Sequence, residues 1–239
     1  MRRIGFALRT ALGGDPELAQ AQYRVVAKQV PLLYFVLSLN TLALVFRFHG
    51  VGPNWLSLYL PLGMTVFCIA RGALWWRRGE SEVAPELALR RLRATTVVAA
   101  ALAGLYIAWG LALYPYGDIS ARAHMVFFLG LTMYACVFSL SHLLPAALCV
   151  AAIGIAPYSV FFSLADDGRF RIVAINLALV AVGLIVTILR NYGQFARLVA
   201  SQRALAEQHA ETLRLAEDNS RLANIDPLTG LPNRRQFIA

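Results

Sequence analysis

Few side chains within the apolar runs of this sequence can do chemistry. Asn40, Thr41, Thr132, Ser139, His142 and Asn176 interrupt the runs, and His124 stands near the edge of one. Polar groups in hydrocarbon surroundings are functional candidates, because burying them costs free energy. For Asn40, Asn176 and the hydroxyls, hydrogen bonding between helices is the commoner use. His124 and His142 are 18 residues apart, about 27 Å along a single predicted helix, so the two could not share one metal ion or haem. A bis-histidine site would need partners from other helices, with His49 as the remaining candidate in this region. No metal site is expected. Cys68, Cys136 and Cys149 lie in apolar runs without ligand spacing and read as packing or membrane-facing residues. No carboxylate falls inside any run, so a proton or cation relay lacks its usual group. Trp109 precedes Tyr114-Pro115-Tyr116-Gly117-Asp118. That segment is a turn with interfacial tyrosines, or it closes an outward-facing pocket together with Trp109; the residues leave both open.

The elements that must position these groups follow from composition. Of 239 residues, 59% are hydrophobic and 15% charged, with a mean hydropathy of +0.59. Soluble domains average about 45–50% apolar and about 25% charged, so the chain reads as an all-α membrane protein. Six apolar stretches reach the roughly 18–22 residues that a spanning helix needs: Val30–Phe48, Trp55–Leu74, Thr95–Tyr114, Ala123–Leu140, Leu143–Leu164 and Ile172–Leu189. The fourth and fifth nearly merge around Ser141, His142 and Pro145; counted as one, they would leave five crossings. Pro61 and Pro157 lie within spans, where each frees a carbonyl and kinks its helix, as a packing feature or as the lining of a cavity.

Charge sets the orientation. All but four of the 22 basic residues precede the first span, end or follow the second, or follow the sixth. Arg47, Arg122, Arg169 and Arg171 occupy the alternate loops. The positive-inside rule then puts both termini in the cytoplasm, which demands an even number of crossings. The net charge of +9 thus reads as topology at a lipid bilayer and not as nucleic-acid binding. Trp55, Tyr59, Trp75, Trp76, Tyr114, Tyr116, Tyr158 and Tyr192 fall mostly near span ends, where aromatic rings favour the interface. The first three spans do not visibly repeat in the last three, which argues against an inverted-repeat transporter.

The chain therefore divides into a basic cytoplasmic segment (residues 1–29), a six-span sensor bundle (30–189), a signalling helix (190–224) and a terminal stub (225–239). Residues 1–29 are not a cleavable signal, since Gly13, Gly14, Asp15 and Pro16 interrupt any apolar region. Ile4, Phe6, Leu8, Ala11 and Leu12 among arginines fit a short interfacial helix or a frayed basic tail. Residues 190–224 are rich in Ala, Leu, Gln, Glu and Arg and lack proline, so they continue as helix. A heptad frame places Leu198, Leu205, Thr212 and Asn219 at a, with Ser201, Gln208, Leu215 and Leu222 at d. Half of that seam is polar. It fits a weak parallel homodimer, in which Asn219 would fix the register, or a solvated single helix.

The last stretch reads Asn224-Ile225-Asp226-Pro227-Leu228-Thr229-Gly230-Leu231-Pro232-Asn233-Arg234-Arg235-Gln236-Phe237. Asp226 can cap a turn that has Pro227 in its first position, and Gly230 with Pro232 ends it. Asn233 with Gln236 can form a capping box for a second helix.

This run resembles the D-x-L-T-G-L-x-N-R motif that opens GGDEF domains, the α/β catalytic domains of diguanylate cyclases. Asp226, Leu228, Thr229, Gly230, Leu231, Asn233 and Arg234 match it. The arrangement is similar to a membrane-associated sensor bundle of the bacterial inner membrane joined to such a domain. The resemblance implies that the complete protein condenses two GTP into cyclic di-GMP with Mg2+, on two half-sites brought together in a homodimer. In that family the metal ligands and the GG[DE]EF loop come after the opening motif, so residues 1–239 are expected to hold no catalytic residue and to be inactive alone. A non-catalytic receptor with a degenerate GGDEF domain and a bifunctional GGDEF–EAL protein are the alternatives. A histidine-kinase-like receptor is disfavoured, because His209 lacks the setting of a phospho-acceptor.

Overall fold

The first helix starts well before the apolar run that was expected to open the bundle. The computed structural model describes residues 16–78 and 83–224, and α1 spans Pro16–Arg47. Pro16 suits a first helical position and Glu17 the positive end of the helix dipole. Leu18, Ala19, Tyr23, Val26 and Val30 recur every three or four residues, or adjoin, and all are buried. Gln22 donates to the Tyr192 hydroxyl (2.8 Å) and Arg91 to the Tyr23 hydroxyl (2.7 Å). Residues 16–29 are thus helical and continuous with the first crossing, because tertiary contacts supply the burial that their composition does not advertise. The expected interfacial helix between Ile4 and Leu12 lies outside the described residues.

A π-turn at Trp55–Tyr59 leads into α2 (Leu60–Arg78). Next come α3 (Pro85–Leu113), a 3-10 turn at Tyr114–Tyr116, and α4 (Ile119–Ser139). The fifth crossing is composite: α5 (Leu144–Val150), a π-turn at Ala151–Ile155, and α6 (Ala156–Leu164). After a 3-10 turn at Ala165–Gly168, α7 runs over Arg171–Asn224. Among the described residues there is no strand, and six helical segments are long and apolar enough to cross a membrane. Pro61 and Pro157 each stand two residues after the end of a π-turn. The wider turn accommodates a ring that would collide with the preceding carbonyls of an α-helix.

Between α4 and α5 the chain turns sharply, with the Leu143 amide donating to the Leu140 carbonyl at 2.8 Å and Pro145 in the first turn of α5. The merged fourth and fifth span does not occur. His142 sits in this turn and not on one helix with His124, which corrects the expectation from spacing.

By contacts the chain divides into two units, one ending at Phe195 and one beginning at Ala196. In the first, α1 packs on α2, α3 and α4, and α3 on α5. A Cβ at Gly110 would fall 2.8 Å from Leu129, and one at Gly154 would fall 2.6 Å from the Met133 sulfur. Glycine is what lets α3 approach α4, and the fifth crossing approach α4, so closely. The sixth crossing is peripheral: 17% of its apolar window is buried, against 33–50% for the others. Large apolar side chains such as Phe46, Trp76, Leu164 and Ile172 are more than two-thirds exposed, a surface suited to hydrocarbon and not to water. The aromatic residues split. Trp55, Tyr59, Trp76 and Tyr116 face outward, whereas Trp75, Tyr114, Tyr158 and Tyr192 are buried, which corrects the expectation that all eight sit as anchors on the surface.

Candidate functional site

The polar groups of the bundle form two layers. The interior layer joins helices pairwise. Asn40 on α1 donates through Nδ2 to Thr132 Oγ1 on α4 (2.7 Å), and that hydroxyl donates to the Phe128 carbonyl (2.6 Å). Thr41 Oγ1 lies 2.5 Å from the Tyr106 hydroxyl on α3. Tyr158 donates to the Val126 carbonyl at 2.6 Å, and Tyr134 to that of Leu177. Trp109 is buried, and its indole Nε1 donates to the Leu56 carbonyl at 2.9 Å. In the π-turn the Leu60 amide bonds five residues back, to Trp55. The matching donor for Leu56 would be residue 61, a proline with no N–H. Trp109 supplies the missing donor. Trp109 was expected to help close an outward-facing pocket; it is buried and bonded to the π-turn instead.

A cavity of about 30 Å³ lies beside this layer, lined by Tyr34, Leu102, Tyr106, Met133 and Cys136 among others. It has room for little more than one water-sized molecule and none for a haem.

The outer layer ties three loops together. Asp118 caps α4, accepting from the Ala121 amide (2.7 Å) and from Arg47 at the end of α1 (2.8 Å). The Ala121 amide first, and Arg47 with it, hold the Asp118 carboxyl below its usual range. Arg122 bonds Asp166 (2.7 Å) and the Gly117 carbonyl (2.9 Å), and it lies 5.0 Å from the Tyr114 ring centroid. Tyr114 donates to the second oxygen of Asp166 (2.8 Å). Asp166 and Asp167 have φ of 49° and 56°, a conformation that aspartate tolerates better than most residues, and the bonds to Asp166 hold that turn. The sequence reading missed Arg47, Arg122 and Asp166; opposite charges in successive loops on one side were the available signal.

The five bundle candidates are not gathered into one site. Asn40 and Trp109 serve as interhelical links. His124 is exposed, bonded to the Ser120 carbonyl (2.8 Å) and stacked near Phe128. His142 meets the edge of Phe195. Asn176 faces outward and makes no hydrogen bond among the described residues, which corrects its expected interhelical role. Among the described residues no three His, Cys, Asp or Glu side chains are grouped to hold a metal. The Mg2+ implied by the resemblance finds no ligand set there, and the resemblance itself puts those ligands after the opening motif.

In the second unit Leu198, Leu205, Leu213 and Leu215 are exposed, and Arg203 pairs with Glu207 one turn on (2.9 Å). The motif residues Asp226, Leu228, Thr229, Gly230, Leu231, Asn233 and Arg234 lie outside the described residues.

Comparison with family models, curated proteins and solved structures finds no match in any of the three. Among the described residues the polar groups of the bundle link helices and loops to one another.

Proposed function

We propose that this chain is the sensory and coupling part of a membrane-bound diguanylate cyclase of the bacterial inner membrane, with both termini cytoplasmic. The observation that carries the proposal is the run Asp226–Arg234, placed directly after a proline-free, charge-rich stretch that follows six membrane-length helices. The polar interior links helices and leaves little room for a ligand, which supports a role in transmitting a change of packing. The peripheral sixth crossing and the exposed leucines after it suit self-association through residues 190–224, the arrangement that two GTP half-sites need. A stimulus in the bundle would then shift the population of productive dimers.

The test is to express the gene through its own stop codon and incubate the purified membrane protein with GTP and Mg2+. Formation of cyclic di-GMP supports the enzyme. GTP binding without turnover indicates the receptor with a degenerate domain, and hydrolysis of cyclic di-GMP the GGDEF–EAL tandem. A reading frame with no GGDEF sequence after Ala239, or a reporter fusion placing residue 239 in the periplasm, overturns the proposal.

A further inference from the structure

The sixth crossing presents two opposite faces of different chemistry. Ala174, Ala181 and Ile188 recur at seven-residue intervals and are buried, and the Tyr134 hydroxyl on α4 donates to the Leu177 carbonyl. These contacts fix the rotation of the helix. At about 100° per residue they turn Asn176, Gly183 and Thr187 to the far side, where all three are exposed. Asn176 makes no hydrogen bond among the described residues. A Cβ added at Gly183 would meet nothing within 4 Å, and the Thr187 hydroxyl folds back to donate to the Gly183 carbonyl at 2.9 Å. Gly183 and Thr187, one turn apart, thus leave a shallow floor on which another helix can come close. Leu179 and Val180, between Asn176 and that floor, are exposed at 67% and 51%.

An amide facing hydrocarbon loses both its donor and its acceptor bonds, which is costly. The occupant of this face must therefore bring a donor and an acceptor to the level of Asn176, and an apolar surface beside them. An acyl chain brings only the second. A second copy of the same helix brings both. An amide is self-complementary, because it carries an NH2 and a carbonyl, and a two-fold axis sets a residue near it against its own counterpart. Asn176 and Gly183 lie about 10 Å apart along the helix, so one parallel crossing serves both. We propose that this face of the sixth crossing is a homodimer interface within the membrane, in which Asn176 pairs with Asn176 of the partner subunit and the backbones approach most closely at Gly183. The interface rests on the membrane part of the proposed function and not on its nucleotide chemistry. It is separate from self-association through residues 190–224.

The test reconstitutes the 239-residue chain, labelled at its N-terminus with donor or acceptor fluorophores, into phosphatidylcholine vesicles. Energy transfer is read as the protein-to-lipid ratio falls, with no GTP present. The chain should associate, and Asn176→Leu should raise the ratio needed for half-association about fivefold. Asn176→Gln keeps donor and acceptor and should restore most of that loss. Gly183→Leu fills the place of closest approach and should weaken association about tenfold. Val182→Leu, exposed on the flank of the same crossing, should leave it unchanged. All three positions are exposed, so the variants keep the fold. Leu198→Asn/Leu205→Asn separates this interface from the helix that follows. Association that survives Asn176→Leu and Gly183→Leu but is lost in that pair overturns the membrane interface and leaves residues 190–224 as the contact. A chain that stays monomeric at every ratio overturns both contacts, and one that does not enter the vesicles overturns the membrane reading beneath them.

Discussion

The Trp109 indole donates to the Leu56 carbonyl across 2.9 Å, at the position where Pro61 leaves the π-turn without a backbone donor. A proline on the second crossing is thus answered by a side chain on the third. Trp109→Phe keeps most of the volume and deletes the N–H, so it should destabilise the bundle by about 1–2 kcal/mol. Pro61→Ala restores an N–H at the right place, and in that background the cost of Trp109→Phe should fall by at least half. A double-mutant cycle by denaturant unfolding in detergent checks this; strictly additive costs would show that the two residues are not linked.

Asn40 and Thr132 join α1 to α4 at 2.7 Å. Thr132→Val is nearly isosteric and removes both the acceptor for Asn40 and the donor to Phe128. It should cost about 0.5–2 kcal/mol, the range for hydrogen bonds between helices in membranes plus an orphaned amide. Most of that cost should disappear when it is combined with Asn40→Leu, as read from melting temperatures of the four proteins.

The Asp118 carboxyl is held below its ordinary value by the Ala121 amide and by Arg47. Its folded pKa lies below its unfolded one, so the ionised form contributes stability above the ordinary carboxylate pKa of about 3.9. That contribution is lost as pH falls through the depressed value. Asp118→Asn can still cap the helix but cannot pair with Arg47. The variant should melt below the native protein at pH 6–7, and the gap should close as pH falls through the depressed pKa of Asp118. A gap that widens on acidification would contradict this sign.

If α7 transmits the signal, its helical phase matters. Inserting one to four residues near Ala206 in the complete protein should change cyclic di-GMP synthesis with a period near one helical turn, about 3.6 residues. A flat response would disconnect the helix from output.

Much was legible in the chain because the signals are local. Six helices long and apolar enough to span a membrane follow from hydropathy alone, since each helix satisfies its own backbone and needs only about 20 apolar residues. Pro145 and the polar pair Ser141-His142 marked the turn that separates the fourth crossing from the fifth. Residues 16–29 were not legible as part of the bundle. Their burial comes from Tyr192 and Arg91, distant in sequence, and a hydropathy window cannot see it.

Sequence by itself determined that Asn40 and Asn176 are amides stranded in apolar runs. Only the tertiary structure decided that Asn40 meets Thr132 while Asn176 faces outward. The physical reason is that composition sets where along an apolar helix a residue lies. The face it presents depends on how its helix is rotated, and rotation is settled by close approaches such as Gly110 to Leu129, made between residues that no local pattern relates.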